Sequence, residues 1–464
     1  MSESPSLENL AQVALTCLQE YLDRCARGEG TVIHASAEND YAEALQLESW
    51  LAQGGMSSED LAQWLPRYLA GTTHLHHPHY IGHQVAVTLP PTAVADLVNG
   101  VTNNGMAVYE MGPPAVALEL AVLSWMCAKV GLPQGSGGVL THGGSLANLT
   151  ALAAARAACA PESWRAGTPR DLVLLAPATS HYSVERSAGL LGLGTDAVRP
   201  IAVDDCGRMI PEEVLATGLA EEKAGRRVMA VVANACATAT GLHDDLTAIG
   251  TLCREHSWWF HIDAAHGASA VLSPRYRKFL RGSELADSLI WDAHKMLGVS
   301  ALCAAVLVRE EGRLAAAFQQ DAHYLGNPGL GHGVDLFARA VECTKVPLGL
   351  KLFLNLAVCG EQALVERLDS VYDSTRSFAA LLKADPRTEL LHQPESNILC
   401  FRFGGPDVAQ RDLRQRLMDD GEFYLTATTF ADRDWLRLTV MNPRTKESHI
   451  QALLDRLGEL LTAE

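Results

Sequence analysis

Short apolar runs that end in polar residues recur through the middle of the chain. The clearest two lie at 258–262, which is followed by Asp263, and at 288–291, which is followed by the polar segment 292–295. Runs of this kind are typical of strands buried on both faces of a parallel sheet. Because helical stretches separate most of them, the pattern predicts an α/β fold with a mainly parallel, doubly wound sheet. Similar runs predict further strands at 139–141, 171–176, 228–233 and around 306.

The two ends of the chain show different patterns. Residues 6–70 carry apolar positions at helical spacing, which predicts amphipathic helices in an N-terminal arm. A chain of 464 residues exceeds the usual size of a single core, so we expect more than one domain. We predict an N-terminal helical segment at 1–85, a large domain at 86–350 and a small α+β domain at 351–464. The elements predicted for the last part are a long helix over 350–381, strands at 397–403 and 435–440, and helices at 407–417 and 446–461.

A glycine-rich turn lies between a predicted strand and the helical run 146–158. Its sequence is His142-Gly143-Gly144-Ser145. Backbone N–H groups at the start of a helix bind anions, and glycine lets a phosphate come close to the backbone. Such a turn is also common without a ligand. It has neither the lysine of a P-loop nor the glycine spacing of a dinucleotide site, so it is a candidate phosphate site of another kind.

Asp263 and Lys295 each come just after a predicted buried strand. Ligands of open α/β sheets bind at the carboxyl ends of the strands, so we expect the two side chains to face one pocket. Pyridoxal phosphate (PLP) requires such a pair, because a lysine amine forms its Schiff base and an acid pairs with its pyridinium nitrogen. Taken singly, each residue has an ordinary structural explanation. Asp263 fits the cap of a turn, and Lys295 fits a solvated surface lysine. His181, after another strand, is placed to stack on a cofactor ring or to cap the following helix.

Charge and cysteine content narrow the class of protein. The formal net charge is −17, which argues against a nucleic-acid partner, since such proteins carry basic stripes. Eleven cysteines without a C-x-x-C pair indicate reduced thiols and a cytoplasmic protein. The start of the chain is acidic and has no signal-peptide pattern, and no apolar run approaches the length of a membrane span. The histidine-rich stretch 74–83 matches no closed zinc spacing, so we expect a polar pocket wall and no metal.

Several motifs, in order, resemble the group II PLP-dependent amino-acid decarboxylases. This family includes glutamate, aromatic amino-acid, cysteine sulfinate, aspartate and diaminobutyrate decarboxylases. The resemblance runs from about residue 77 to the C terminus. Each motif is modest alone, but together they are specific. The motifs are Gly137-Gly138-Val139, Gly144-Ser145, Ser180-His181-Tyr182-Ser183, His261-Ile262-Asp263-Ala264-Ala265 and His294-Lys295.

The resemblance implies the fold type I architecture of PLP-dependent transferases, with a seven-stranded sheet, and a homodimer whose sites lie at the interface. It implies that an L-amino acid loses CO₂ and leaves as the amine. By the same resemblance Lys295 holds PLP, Asp263 pairs with the pyridinium nitrogen, and His181 stacks on the ring. The remaining implied positions are Gly144 and Ser145 at the phosphate with His294 nearby, Thr238 at the cofactor, Ala265 beneath the ring, and Tyr80 and His83 near the substrate side chain.

Three positions depart from the pattern of the family. Ala237 stands where many relatives have a threonine, which leaves Thr238 to contact the cofactor, and Lys345 stands where relatives often have arginine. The segment 331–335 lacks the tyrosine that usually returns a proton to the substrate α-carbon. Within the loop 322–333, we expect His332 to take that role, because its proton titrates near neutral pH. Tyr324 lies in the same loop but ten positions before the expected site.

The missing tyrosine leaves other activities open. They are a decarboxylation-dependent deaminase that forms an aldehyde, a transaminase, and a catalytically silent homologue, although an intact Lys295 and Asp263 argue against the last. The substrate itself cannot be identified from the sequence. Because no arginine is close in sequence to Tyr80 and His83, the sequence favours a substrate with a neutral or basic side chain.

Overall fold

The computed structural model describes residues 6–34, 38–318 and 333–462. These residues form two compact units. The N-terminal helices and the C-terminal strands belong to one unit, whereas the sequence analysis assigns them to separate segments. Unit 1 consists of Met1–His83, Asp373–Gln393 and Asn397–Glu464, and unit 2 of Gln84–Tyr372 and Pro394–Ser396.

The strands form one sheet in each unit. In unit 2 they are β1 (Gly137–Thr141), β2 (Leu172–Pro177), β3 (Val198–Ile201), β4 (Arg227–Asn234), β5 (Trp259–Asp263), β6 (Ser288–Asp292) and β7 (Ala304–Val308). In unit 1 they are β8 (Thr388–Leu390), β9 (Ile398–Phe403), β10 (Thr426–Phe430) and β11 (Arg433–Thr439).

Seventeen α-helices alternate with these strands or flank them along the described part of the chain. They are α1 (Leu7–Ala26), α2 (Glu38–Ala44), α3 (Leu47–Gln53), α4 (Ser58–Ala70), α5 (Pro90–Thr102), α6 (Pro113–Lys129), α7 (Gly144–Cys159), α8 (Ser163–Ala166), α9 (Ser183–Leu190), α10 (Pro211–Lys223), α11 (Leu246–His256), α12 (Ala293–Met296), α13 (Gly312–Ala317), α14 (Leu348–Cys359), α15 (Glu361–Ala384), α16 (Gln410–Asp420) and α17 (Glu447–Thr462).

The sheet of unit 2 has the strand order β1-β7-β6-β5-β4-β2-β3. Its pairs from β6 through β5, β4 and β2 to β3 are parallel, and β7 is antiparallel to its neighbours β6 and β1. The strands β1, β2, β6 and β7 are buried along their whole length. Strands covered on both faces consist of continuous apolar runs, which is the pattern seen in the sequence. The predicted mainly parallel α/β sheet is therefore confirmed.

Helix α7 packs closely against this sheet. Ala151, Ala154 and Ala155 are fully buried in the same apolar cluster as residues of β2, β4 and β7. Small side chains let the helix axis approach the strands, so the first turn of α7 is fixed beside the ends of β5 and β6. The four-stranded sheet of unit 1 has the order β10-β11-β9-β8, and its pairs are antiparallel.

The prediction of one long helix over 350–381 is wrong. The chain forms α14 and α15, which are bent by 93° at the break between them. The break is Gly360, whose φ of +83° lies in the left-handed region that favours glycine. Among the described residues no single helix is long and apolar enough to cross a membrane, and the bent pair α14 and α15 meets that length and composition only when its two helices are taken together.

Candidate active site

A cavity of about 380 Å³ lies at the carboxyl ends of β5 and β6 in unit 2. These strands are parallel, with Asp263 in register with Ile290, so the polar residues that end them meet at one edge of the sheet. Every residue to which the sequence analysis assigns a cofactor contact lines this cavity. The lining residues are His142, Gly143, Gly144, Ser145, Asn148, His181, Cys236, Thr238, Asp263, Ala265, His266, Ile290, Asp292, His294, Lys295 and Leu302.

Asp263 is held in place by the side chain of Asn148. The Asn148 Nδ2 donates to Asp263 Oδ2 at 2.9 Å and to Ser183 Oγ at 2.8 Å. The backbone N–H of Ala265 lies 3.3 Å from Asp263 Oδ1. Both carboxylate oxygens therefore face N–H donors, and the carboxylate is only 8% exposed. These hydrogen bonds fix the orientation of the carboxylate at the end of β5.

His261 extends this network below the cavity. Its Nε2 lies 2.9 Å from Asn148 Oδ1, and its Nδ1 lies 2.8 Å from Ser288 Oγ. Burial lowers the pKa of His261 to about 4, so its ring is neutral at neutral pH. Since Asn148 Oδ1 is an acceptor, the ring proton sits on Nε2 and Nδ1 accepts from Ser288, whose Oγ accepts in turn from Trp259 Nε1 at 2.8 Å. The chain of donors from Trp259 to Asn148 points in one direction, toward Asp263.

His181 belongs to the same network on another side of the cavity. Its Nδ1 lies 2.7 Å from Ser183 Oγ, the oxygen that also accepts from Asn148. Burial lowers the pKa of His181, and the nearby charge of Lys295 lowers it further, against the opposing charge of Asp263. A neutral ring fixed at one nitrogen presents an apolar face to the cavity, which is the form needed for stacking on an aromatic ring.

Lys295 lies in the short helix that follows β6. Its Nζ is 3.2 Å from Asp292 Oδ2, and its side chain is 17% exposed. The neighbouring His294 has its Nδ1 2.9 Å from the Cys303 carbonyl oxygen and its Nε2 3.7 Å from Asp292 Oδ2. The amine is thus the exposed end of a buried polar cluster, and it is accessible from the cavity.

The glycine-rich turn lies against the end of β6 in the wall of the cavity. Gly143 has a φ of +101°, and α7 begins at Gly144. A Cβ atom at Gly144 would lie 2.8 Å from Asp292 Oδ2, so a larger residue does not fit without displacing that side chain. The first N–H groups of a helix have no acceptor within the helix and are free to bind an anion. The turn therefore presents helix N-terminal N–H groups at the wall of the cavity that Lys295 also lines.

A family model described as the pyridoxal-dependent decarboxylase conserved domain matches residues 56–404. The chain belongs to the pyridoxal-dependent decarboxylase family. Cysteine sulfinic acid decarboxylase of Mus musculus is 33% identical over 444 residues, which cover 89% of this chain and 88% of the mouse protein. The acidic amino acid decarboxylase of Xenopus tropicalis is 28% identical over 432 residues, which cover 88% and 84% of the two chains.

The crystal structure of mouse CSAD has a TM-score of 0.90 to this chain at 28% identity, and the match covers 98% of each chain. The expected fold type I architecture is therefore confirmed, and PLP is the cofactor. This decarboxylase catalyses the PLP-dependent decarboxylation of an amino acid. The individual roles of Lys295, Asp263 and His181 stay predictions.

The structure also places residues in this decarboxylase's cavity that the sequence analysis did not select. Asn148, Asp292 and Cys236 all line it. Asp292 is the last residue of β6, as Asp263 is the last residue of β5. Its position at the end of a buried strand therefore also predicts a place in the cavity. Asn148 gave no signal, because it lies among alanines within a helix. Cys236 is buried, which raises the pKa of its thiol to about 11 and keeps it protonated at neutral pH.

The proposed substrate residues Tyr80 and His83 lie in unit 1. Tyr80 is 2% exposed and stacks on Tyr424, and its hydroxyl accepts from the His83 backbone N–H at 3.3 Å. Burial lowers the pKa of His83, and the positive charges of Arg437 and Arg414 lower it further. Two arginines are therefore close to this stretch in the fold although none is close in sequence.

The remaining prediction concerns the loop that carries the proton donor. The predicted loop 322–333, with Tyr324 and His332, lies outside the described residues except at Gly333. The segment that follows it is attached to the wall of the cavity, because Glu342 contacts His142 Nδ1. Lys345 pairs with the buried Glu119 at 2.5 Å. The assignment of His332 as donor stays a prediction.

Proposed function

We propose that Lys295 holds PLP as a Schiff base while Asp263 pairs with its pyridinium nitrogen and the turn at Gly144 and Ser145 takes its phosphate. The observation that carries this proposal is that a lysine amine, a supported carboxylate and a helix N-terminal turn line one cavity. PLP requires these three groups together. When bound, it would accept the electron pair that remains on the substrate α-carbon after CO₂ departs.

The protein's own contribution is orientation and proton placement. The donor chain that ends at Asn148 fixes the Asp263 carboxylate in position, and this carboxylate would pair with the protonated ring nitrogen. The His181 ring would stack on the cofactor and Ala265 would lie beneath the ring, with Thr238 in contact with the cofactor and His294 near its phosphate; all four residues line the cavity. Fixed positions of this kind limit the motion of the reacting groups and exclude water from them.

The substrate is an amino acid with an acidic side chain. The names of the mouse and frog relatives, a cysteine sulfinic acid decarboxylase and an acidic amino acid decarboxylase, support this class. The sequence-based preference for a neutral or basic side chain rested on the lack of a nearby arginine. In the fold Arg437 and Arg414 act on His83, so that reason no longer holds.

A panel assay of the purified, PLP-loaded protein tests the proposal. L-cysteine sulfinate, L-aspartate and L-glutamate are compared with L-tryptophan and L-2,4-diaminobutyrate, and CO₂, amine, aldehyde and ammonia are measured for each. CO₂ with equimolar amine from an acidic substrate is expected. Turnover of only the aromatic or basic substrates overturns the substrate class. Aldehyde and ammonia in place of amine favour the deaminase activity, which the absence of tyrosine from 331–335 keeps open.

The active form is a homodimer in the cytoplasm. Large apolar side chains on the N-terminal helices are open to solvent in the single chain, with Leu15 61% exposed and Leu51 87% exposed. Exposed apolar surface of this kind supports a protein partner. All eleven cysteines are free, which supports a reducing compartment. Light scattering of the purified protein measures the oligomeric state, and a monomeric mass for the active enzyme contradicts the dimer.

A further inference from the structure

The side chain of Asp292 is a buried carboxylate in the wall of the cofactor cavity. The residue is 1% exposed, and its Oδ1 is buried with no hydrogen-bond partner among the described residues. Its Oδ2 lies 3.2 Å from Lys295 Nζ. Without cofactor, the ammonium of Lys295 therefore balances the charge of this carboxylate.

The same carboxylate lies against the turn that takes the phosphate. A Cβ atom at Gly144 would lie 2.8 Å from Asp292 Oδ2 and 3.2 Å from its Oδ1. A phosphate monoester carries a charge of about −1.5 to −2 at neutral pH. Two anions in contact within a buried site disfavour the ionised form of one of them.

Few of the titratable groups near Asp292 carry a positive charge that could balance its carboxylate. The titratable groups that face it are Lys295 and His294 on α12, His181 before α9 and Cys303 before β7. The other titratable groups of the cavity wall are His142, Cys236, Asp263 and His266. Burial holds His181 neutral and raises the pKa of the Cys303 thiol to about 12, so neither adds a positive charge.

We propose that Asp292 is a proton-carrying residue of the cofactor site, whose carboxyl takes up one proton when the phosphate enters the turn at Gly144. The protonated carboxyl has one O–H donor, which it gives to a phosphate oxygen, and such O–H···O⁻ bonds are short and strong. Cofactor binding is thereby linked to pH through a residue that does not take part in the decarboxylation. This inference rests on the proposed function, because it takes Gly144 as the phosphate site.

Equilibrium binding to the cofactor-free protein tests the linkage. Dissociation constants of PLP and of pyridoxal, which lacks the phosphate, are measured by tryptophan fluorescence between pH 8 and 9, where the free phosphate is almost entirely the dianion. The ratio of the two constants isolates the phosphate, since changes at Lys295 affect both ligands alike. In the wild type the preference for PLP should fall by up to about tenfold per pH unit, the slope for uptake of one proton.

Two variants separate Asp292 from the rest of the cavity. In Asp292→Asn the preference for PLP should not change with pH and should exceed that of the wild type at pH 9 by about tenfold or more. Asp263→Asn changes the other carboxylate of the cavity wall and should retain the wild-type slope. A wild-type slope in Asp292→Asn overturns the inference.

If Asp292→Asn does not fold, calorimetry of the wild-type protein tests the same proton uptake. PLP is titrated at pH 8 in buffers of different ionisation enthalpy, which counts the protons taken up. PLP should take up about one proton more than pyridoxal, and equal uptake overturns the inference. Failure of PLP to bind at all contradicts the proposed function instead, so the two failures are distinct.

Discussion

Asn148 Nδ2 lies 2.9 Å from Asp263 Oδ2. Helix α7 thus supports, by its fifth residue, the carboxylate at the end of β5. The same amide is held in one orientation by the neutral His261 ring at its oxygen. The proposed partner of the cofactor nitrogen is therefore fixed in position by hydrogen bonds from the protein.

The first prediction concerns this support. In Asn148→Ala, Asp263 loses a donor that lies within a buried network. A hydrogen bond to a charged group contributes about 1.5–3 kcal/mol, so the turnover number should fall by about tenfold or more. The visible absorbance of bound PLP should remain. Asn99→Ala is a matched control, because Asn99 is also buried but donates to the Pro347 carbonyl. Equal turnover in the two variants argues against a supporting role for Asn148.

The second prediction concerns Asp263 itself. Asp263→Asn removes the charge that we propose keeps the ring nitrogen protonated, while the amide still occupies the same space. The turnover number should fall by at least about tenfold, and PLP should still bind. Steady-state kinetics and absorbance spectra of the same preparation provide both measurements. Unchanged turnover means that another acid contacts the ring nitrogen.

The third prediction is a pH dependence of stability that arises from His261. The pKa of His261 is about 4 in the folded protein, below the value of about 6.5 for an unfolded histidine. Between these values the unfolded chain binds a proton that the folded chain does not, so the free energy of unfolding falls as the pH drops from 6.5 toward 4. In His261→Gln this loss should be smaller by about 1–3 kcal/mol. Urea unfolding of the cofactor-free proteins at several pH values measures it, and parallel pH curves refute the assignment.

The fourth prediction concerns the buried ion pair of Lys345 and Glu119. Glu119 is fully buried, and its Oε1 accepts from Lys345 Nζ at 2.5 Å and from the Leu140 N–H at 3.0 Å. Lys345→Met leaves this carboxylate without its counter-charge, which should lower the free energy of unfolding by about 3–5 kcal/mol. Lys345→Arg keeps the charge and should cost less. A loss of under about 1 kcal/mol in Lys345→Met, measured by urea unfolding, contradicts this account.

Sequence patterns predict the central sheet and the strand-end residues of the site well. Buried parallel strands leave long apolar runs, and the polar residues that close them, such as Asp263, mark the edge where a cofactor binds. Other parts give weak signals. The edge strands β3, β8 and β10 are short and only partly apolar, and the break at Gly360 lies within a continuous helical pattern.

Contacts between distant positions of the chain cannot be found from local patterns. Asn148 is one polar residue in an alanine-rich helix, and its importance depends on α7 packing beside β5. Arg437 is far from His83 in sequence, yet its charge acts on that ring in the fold. The pairing of Lys345 with Glu119 likewise joins two segments that only folding brings together. Each of these is a tertiary relationship that no single stretch of sequence contains.

The central claim is that Lys295 carries the cofactor, and borohydride reduction of the wild-type holoenzyme tests it most directly. Reduction should fix the pyridoxyl group to one peptide, and mass spectrometry should place it on Lys295. Lys295→Ala should fold but lose the visible absorbance, while Lys351→Ala, a control at another buried lysine of unit 2, should keep it. A pyridoxyl group on a different lysine, or a Lys295→Ala protein that remains yellow and reducible, contradicts the account.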